Sequence, residues 1–128
     1  INDPRGLAPI GWHIPTNDEF TTLSACLGGD VAAGGKMKSE GTIEAGTGLW
    51  KAPNTDATNS TGFTALPGGS RSYFFGTDFN IGVSGFWWSS SERDFGNAWY
   101  RAMFYNLSGF ARGSGIKQTG YSVRCVRD

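Results

Sequence analysis

Glycine limits what this chain can build more than any other residue type. Twenty of its 128 positions are glycine, and they follow no collagen-like period. Each one costs backbone entropy inside a regular element, so the chain is expected to turn and bend often and to hold few long helices. Large side chains must then supply the bulk of any core. Aromatic residues make up 14% of the sequence and hydrophobic residues 38%, so a ring-built core is expected in one domain spanning 1–128. Only 17% of residues are charged, and the net charge is zero. That balance leaves no electrostatic footprint for nucleic acid or for an anionic membrane. No apolar run approaches the roughly 20 residues that cross a bilayer, so no membrane insertion by this domain is expected. The start, Ile1-Asn2-Asp3-Pro4, reads as a domain edge, and a larger parent protein is expected.

Helical periodicity occurs once. Phe20, Leu23 and Leu27 recur at helical spacing behind Thr16 and Glu19, which match a capping box, and Gly28-Gly29 follows. A helix over about 17–27 is predicted. A short strand is expected near Gly11–Ile14. Asp30–Ala33 reads as one helical turn broken by Gly34-Gly35, and Lys36-Met37-Lys38 as a short strand. Residues 39–62 read as a long loop anchored by Trp50. Phe63–Leu66 and Arg71–Phe75 read as strands, the second followed by a turn at Gly76–Asp78. The last third is strand-rich. Strands are expected at Phe86–Ser90, Ala98–Asn106 and Tyr121–Val126, with a hairpin tip at Leu107-Ser108-Gly109 and a return over Phe110–Arg112. The final strand would bury Val123 or its neighbours. One main early helix, mostly antiparallel short strands and long irregular loops define an α+β class.

Few residues carry catalytic chemistry. The one histidine, His13, sits just before the helix and reads as a hydrogen-bonded structural residue. No G-x-S-x-G is present, and one histidine beside Cys26 and Cys125 makes a poor zinc set. Asp78, Asn80, Glu92 and Asp94 are candidate calcium oxygens, though no EF-hand-like loop contains them, so they read as solvated loop residues and no cofactor is expected. Trp87 and Trp99 read as core, and Trp88 as partly available for stacking. Arg101, Arg112 and Arg124 fit acidic sugars or packing within the sheet, and Arg124 is read as structural. Along Ala98–Asn106, alternation separates Trp99, Arg101, Met103 and Tyr105 from Tyr100, Ala102, Phe104 and Asn106, so Phe104 is a candidate contact residue.

An ordered set of motifs carries a resemblance. Gly11-Trp12-His13-Ile14-Pro15-Thr16, Leu27-Gly28-Gly29, Ala33–Lys38, Gly62–Gly69, Phe86–Ser90, Ala98–Arg101 and Tyr121–Asp128 together resemble the Fibrobacter succinogenes major paralogous domain. The resemblance spans nearly the whole chain. It implies a C-type lectin-like fold, shared with formylglycine-generating enzymes, and an extracellular setting: a bacterial cell surface or a phage particle. It also implies a disulfide between the first helix and the last strand, which would join Cys26 to Cys125. One departure stands against that bridge. Family members commonly carry a cysteine just before the Gly-Trp-His motif, where this chain has Leu7-Ala8-Pro9-Ile10.

The C-terminal third is also similar to variable lectin-fold proteins of diversity-generating retroelements. Their variable codons derive from adenine-containing triplets that cannot yield Lys, Glu, Gln, Met or Trp. Arg93–Asn97, Asn106–Gly109 and Gly113–Ile116 lack all five, as do Ala102, Phe104, Ala111 and Thr119, whereas Glu92, Trp99, Met103, Lys117 and Gln118 lie between them. The expected function is a non-enzymatic receptor- or adhesin-type module that binds a protein or glycan on a cell surface. Its expected face is Arg93, Asp94, Phe95, Asn97, Ala102, Phe104, Asn106, Leu107, Ser108, Ala111, Ser114, Ile116 and Thr119. A spacer domain of a surface lipoprotein is the alternative. An enzyme related to the formylglycine-generating proteins is the remaining one, and the helix and strand positions of the two cysteines fit a shared pocket poorly.

Overall fold

A computed structural model describes residues 6–128. The domain edge expected at Ile1–Pro4 lies outside the described residues. One main helix, α1 (Asn17–Cys26), precedes a short helix, α2 (Ala33–Met37), and the remaining elements are short strands. They are β1 (Trp12–His13), β2 (Ser70–Arg71), β3 (Asp78–Phe79), β4 (Ser84–Glu92), β5 (Asn97–Phe104), β6 (Ala111–Ile116) and β7 (Val126–Arg127). All named pairings are antiparallel: β4-β5-β6 form the main sheet, β1 pairs with β7, and β2 with β3.

The ends of α1 follow from local chemistry. Thr16 accepts from the Glu19 amide while the Glu19 side chain accepts from the Thr16 amide, a complete capping box. At the other end, the Gly29 amide reaches the Ser24 carbonyl at 2.8 Å and the Gly28 amide reaches Ala25 at 3.2 Å. Both glycines have positive φ, 102° and 90°. This Schellman closure is open to glycine at little steric cost.

The core gathers Phe20 of α1, Ala33 and Met37 of α2, Trp50, Ala65, Trp87 of β4, Met103 of β5 and Phe110. Phe20 and Phe110 meet edge to face at 5.7 Å. Trp50 anchors the long loop as expected: it is fully buried, and its Nε1–H donates to the Ala65 carbonyl at 3.0 Å. Each fully buried side chain of this size contributes about 1.5–3 kcal/mol.

Several expected elements differ. Gly34-Gly35 does not break a helix but lies inside α2, where a Cβ on Gly34 would stand 2.0 Å from the Gly109 carbonyl oxygen and one on Gly35 2.7 Å from that of Asp56. The pair serves close backbone approach, and Lys36–Lys38 is therefore helix and helix end, not strand. Phe63–Leu66 makes only an isolated bridge, Ala65 to Lys38, because Thr64 takes a left-handed φ of 54° held by Asn59. The strand expected over Arg71–Phe75 ends at Arg71; Ser72 closes a turn through its carbonyl and hydroxyl, leaving Tyr73, Phe74 and Phe75 in solvent. The hairpin tip at Leu107–Gly109 does join the antiparallel β5 and β6, but it is docked on the rest of the fold, with the Gly35 amide donating to Ser108 and the Phe110 amide to Asp30. The terminal strand shrinks to Val126–Arg127, and Val123 is exposed.

The two cysteines are unbonded. His13 links Glu19, in the first turn of α1, to Asp128 beside β7. Cys125 therefore lies toward the start of α1, whereas Cys26 is its last residue. Ten residues of helix rise about 15 Å, while a disulfide needs Cα atoms within about 7 Å.

Candidate recognition site

The β4–β5 hairpin ends in a turn whose shape is set by hydrogen bonds. The Arg93 and Asp94 amides both donate to the Asn97 carbonyl, at 3.0 and 3.2 Å. Asp94 Oδ1 accepts from the Gly96 amide, the Asn97 amide and Asn97 Nδ2, at 3.0, 2.9 and 2.8 Å. Those bonds, the one from the Asn97 side chain foremost, hold the Asp94 carboxyl below its usual range. Across the turn, Lys117 Nζ donates to Glu92 at 2.7 Å and to the Phe95 carbonyl at 3.0 Å, and its amide donates to Gly96. The backbone of this turn is thus tied to β6, and its central ring is not: Phe95 is 101% exposed.

Behind the turn, β5–β6 register places Asn97 opposite Ile116, Trp99 opposite Ser114 and Arg101 opposite Arg112. Arg93 and Arg112 both lie over the Trp99 ring, at 5.7 and 4.8 Å from its centre, and Arg93 donates to Ser114 Oγ at 2.6 Å. Such stacking fixes two guanidiniums while leaving donors free. Among the described residues, neither arginine is in an ion pair. Arg93, Phe95, Ser114 and Ile116 of the expected set therefore share one surface with Trp99 and Arg112. Asp94 and Asn97 shape the turn from within. Trp99 is half-buried and lies outside the core expected to hold it, and Arg112, a candidate for acidic sugars, joins the surface by stacking on it. Their cross-strand pairing could be found only from a register that the sequence left open.

The remaining expected residues fall elsewhere. Ala102 is 1% exposed and cannot serve as a contact; it lies on the Tyr100/Phe104 face of β5, opposite Phe86. Phe104 is half-buried, edge to face with Phe86 at 6.1 Å. Phe86, Trp88, Tyr100, Phe104 and Tyr121 form an aromatic layer on the opposite face of the sheet. Gly113 admits it, since a Cβ there would meet Tyr100 Cζ at 2.5 Å. The Thr119 carbonyl accepts from Trp88 Nε1 at 3.1 Å, below that layer's edge. Ala111 is exposed on this second face, opposite Ala102. Asn106 and Leu107 are exposed but belong to the docked connection, where Ser108 donates to the Val31 carbonyl. Lys38, fully buried, holds the same connection by donating to Phe104 and Leu107. The expected face is thus divided among three surfaces.

Arg101 is structural: its guanidinium donates to Asp30, to the Phe110 carbonyl and to Thr21, and lies over the Phe110 ring. Arg124 lies over Phe63 at 4.6 Å. Trp87 is core, as expected. The candidate calcium oxygens do not converge: Asp78 pairs with Arg71, Glu92 with Lys117, and Asp94 caps its own turn. Among the described residues, no three His, Cys, Asp or Glu side chains form a set that could hold a metal ion. His13 is hydrogen-bonded as expected, to Asp128 at 2.7 Å and Glu19 at 2.8 Å, and these partners, Asp128 first, raise its pKa. No helix of the described residues is long and apolar enough to cross a membrane.

Compared with known proteins, the chain matches no curated sequence and no solved structure. Its match is to a family: the sequence model of the Fibrobacter succinogenes major domain covers residues 1–127, and the chain belongs to that family.

Proposed function

We propose that the chain is a non-enzymatic ligand-binding module whose recognition surface is the β4–β5 turn with the adjoining end of β6. Phe95 carries this reading. A phenyl ring held fully in water on a hydrogen-bonded turn adds nothing to the core. A ring carried on a pre-organised turn suits a binding anchor, because the backbone beneath it is already ordered before a partner covers it. Arg93 and Arg112 would flank the anchor and set polar complementarity. Arg93, Phe95, Ser114 and Ile116 would be the interchangeable positions, in keeping with a variable protein of a diversity-generating retroelement. Gly113 would not, because Tyr100 occupies the space of its side chain.

The architecture is read as C-type lectin-like: an early helix, a long irregular middle, and first and last strands paired to each other. The partner would be a protein or glycan on another cell, met at a bacterial surface or from a phage particle. Arrays of cell-surface proteins and of glycans, probed with the domain and with Phe95→Ala, test this. Selective binding that Phe95→Ala abolishes at an unchanged melting temperature is expected. No selective ligand on either array, or a ligand indifferent to Phe95, would refute it.

A further inference from the structure

A run of exposed aromatic residues lies outside the Phe95 turn. The connection between β2 and β3 carries Tyr73, Phe74 and Phe75 in succession, with Phe74 76% and Phe75 71% exposed. Their rings pack on one another, Phe74 against Phe75 at 4.9 Å and Tyr73 against Phe74 at 6.3 Å. The turn is ordered from below: the Ser72 carbonyl accepts from Gly76, and the Ser72 hydroxyl from the Phe74 and Phe75 amides. It is a stiff aromatic knob.

The same chain carries a hole. Ile43, Leu49, Leu66, Pro67 and Ile81 line a groove of about 310 Å³ whose walls are almost wholly apolar. Ile43, Leu49, Leu66 and Ile81 are exposed, and none of the knob's rings fills the groove. A cavity of about 150 Å³ accepts one benzene, so this groove has room for about two phenyl rings, which the knob presents side by side. Contiguous exposed apolar area of this extent marks an interaction site. Knob and groove rims together expose on the order of 800 Å², the share that each partner gives to a stable protein interface.

We propose that a second copy of this chain is the occupant: the Phe74–Phe75 knob of each protomer seats in the Ile43/Leu49/Leu66/Ile81 groove of its partner. Both halves of the contact lie on one chain, so a two-fold pair satisfies both at once. The residues lining the groove carry no charged side chain that an entering ring would bury. Arg71 and Asp78, at the knob's base, are already paired at 3.4 Å.

Sedimentation velocity across the micromolar range tests this. A species of twice the 13.7 kDa chain mass is expected. Phe74→Ser/Phe75→Ser should weaken dimerisation roughly tenfold or more, and so should Ile81→Glu. Mixing the two variants should restore heterodimers through the one intact contact, which a merely misfolded variant could not do. Phe95→Ala should dimerise normally. A monomer throughout, dimers untouched by either variant, or assemblies that keep growing with concentration would overturn the closed pair. So would monomeric protein that floats with phosphatidylcholine vesicles through Phe74 and Phe75.

Discussion

Replacing Gly34 with alanine sets two physical effects of opposite sign against each other. Gly34 lies inside α2, and glycine-to-alanine in a helix ordinarily adds about 1 kcal/mol. Here the new methyl would stand 2.0 Å from the Gly109 carbonyl oxygen and 3.0 Å from that of Ser108. Carbon–oxygen contacts that close are repulsive, so the 105–110 connection must withdraw by more than about 1 Å. Three hydrogen bonds depend on its position: Gly35 to Ser108 at 2.9 Å, Phe110 to Asp30 at 2.7 Å, and Lys38 to Leu107 at 2.9 Å. Each contributes about 0.5–1.5 kcal/mol, and loosening Phe110 forfeits part of another 1.5–3 kcal/mol or so. Net destabilisation of about 2–4 kcal/mol is expected, or ~8–16 °C in melting temperature for a domain of this size. Thermal and denaturant unfolding of Gly34→Ala measure it. Gly96→Ala is the control: the nearest foreign atom to a Cβ there is 3.9 Å away, so little change is expected. A Gly34→Ala variant more stable than the parent would refute the close approach and leave α2 governed by propensity alone.

Three further outcomes follow from the same geometry. Burial lowers the Lys38 pKa to about 8, so between about 8 and 10 the folded chain binds fewer protons than the unfolded one. Stability should therefore rise with pH across that window, by on the order of 3 kcal/mol if the whole shift is realised, and Lys38→Met should flatten the rise in pH-dependent denaturation. The His13 pKa is raised by Asp128 and Glu19, and the Glu19 pKa is lowered by the Thr16 amide and His13. Closure of β1 on β7 should thus be firmest between about pH 4.5 and 6.5: above it the histidine loses its proton as pH passes the folded pKa, and below it Glu19 gains one. Amide exchange at Val126, opposite His13, and at Asp128, whose amide donates to the Gly11 carbonyl, reports this, with His13→Asn as the flat reference. Gly113→Val should cost several times what Ser114→Val does in thermal unfolding, since only the former drives a side chain into Tyr100.

Elements with purely local causes were legible. The Thr16–Glu19 box, the Phe20/Leu23/Leu27 spacing and Gly28-Gly29 placed α1 to within a residue. Alternation placed β4 and β5, and Trp50 was the loop's anchor. Elements set by distant partners were not. Gly34-Gly35 has the local signature of a breaker, yet its meaning is the backbone of Gly109 and Asp56, some 75 and 21 residues on. Tyr73–Phe75 reads as a strand because aromatic residues favour strands, but Ser72 closes a turn over them. The candidate site was half legible. Its exposed turn was visible in Arg93–Asn97, whereas Ala102 and Ser108 share the composition of interchangeable loop residues and are packed by neighbours no local pattern reveals. Trp99 and Arg112 join the site through cross-strand register alone.

The division of the C-terminal third into a displayed surface and a packed frame is what the whole reading depends on. Melting temperatures of two matched variant sets measure it most directly. Substituting Arg93, Phe95 and Ile116 with varied residues should shift stability by no more than about 0.5 kcal/mol each. Substituting Ala102, Gly109 and Gly113 with residues of the same sizes should cost about 1–3 kcal/mol each through overpacking. If the two sets melted alike, the displayed turn and its frame would not be separate things, and Phe95 would lose its claim to be an anchor.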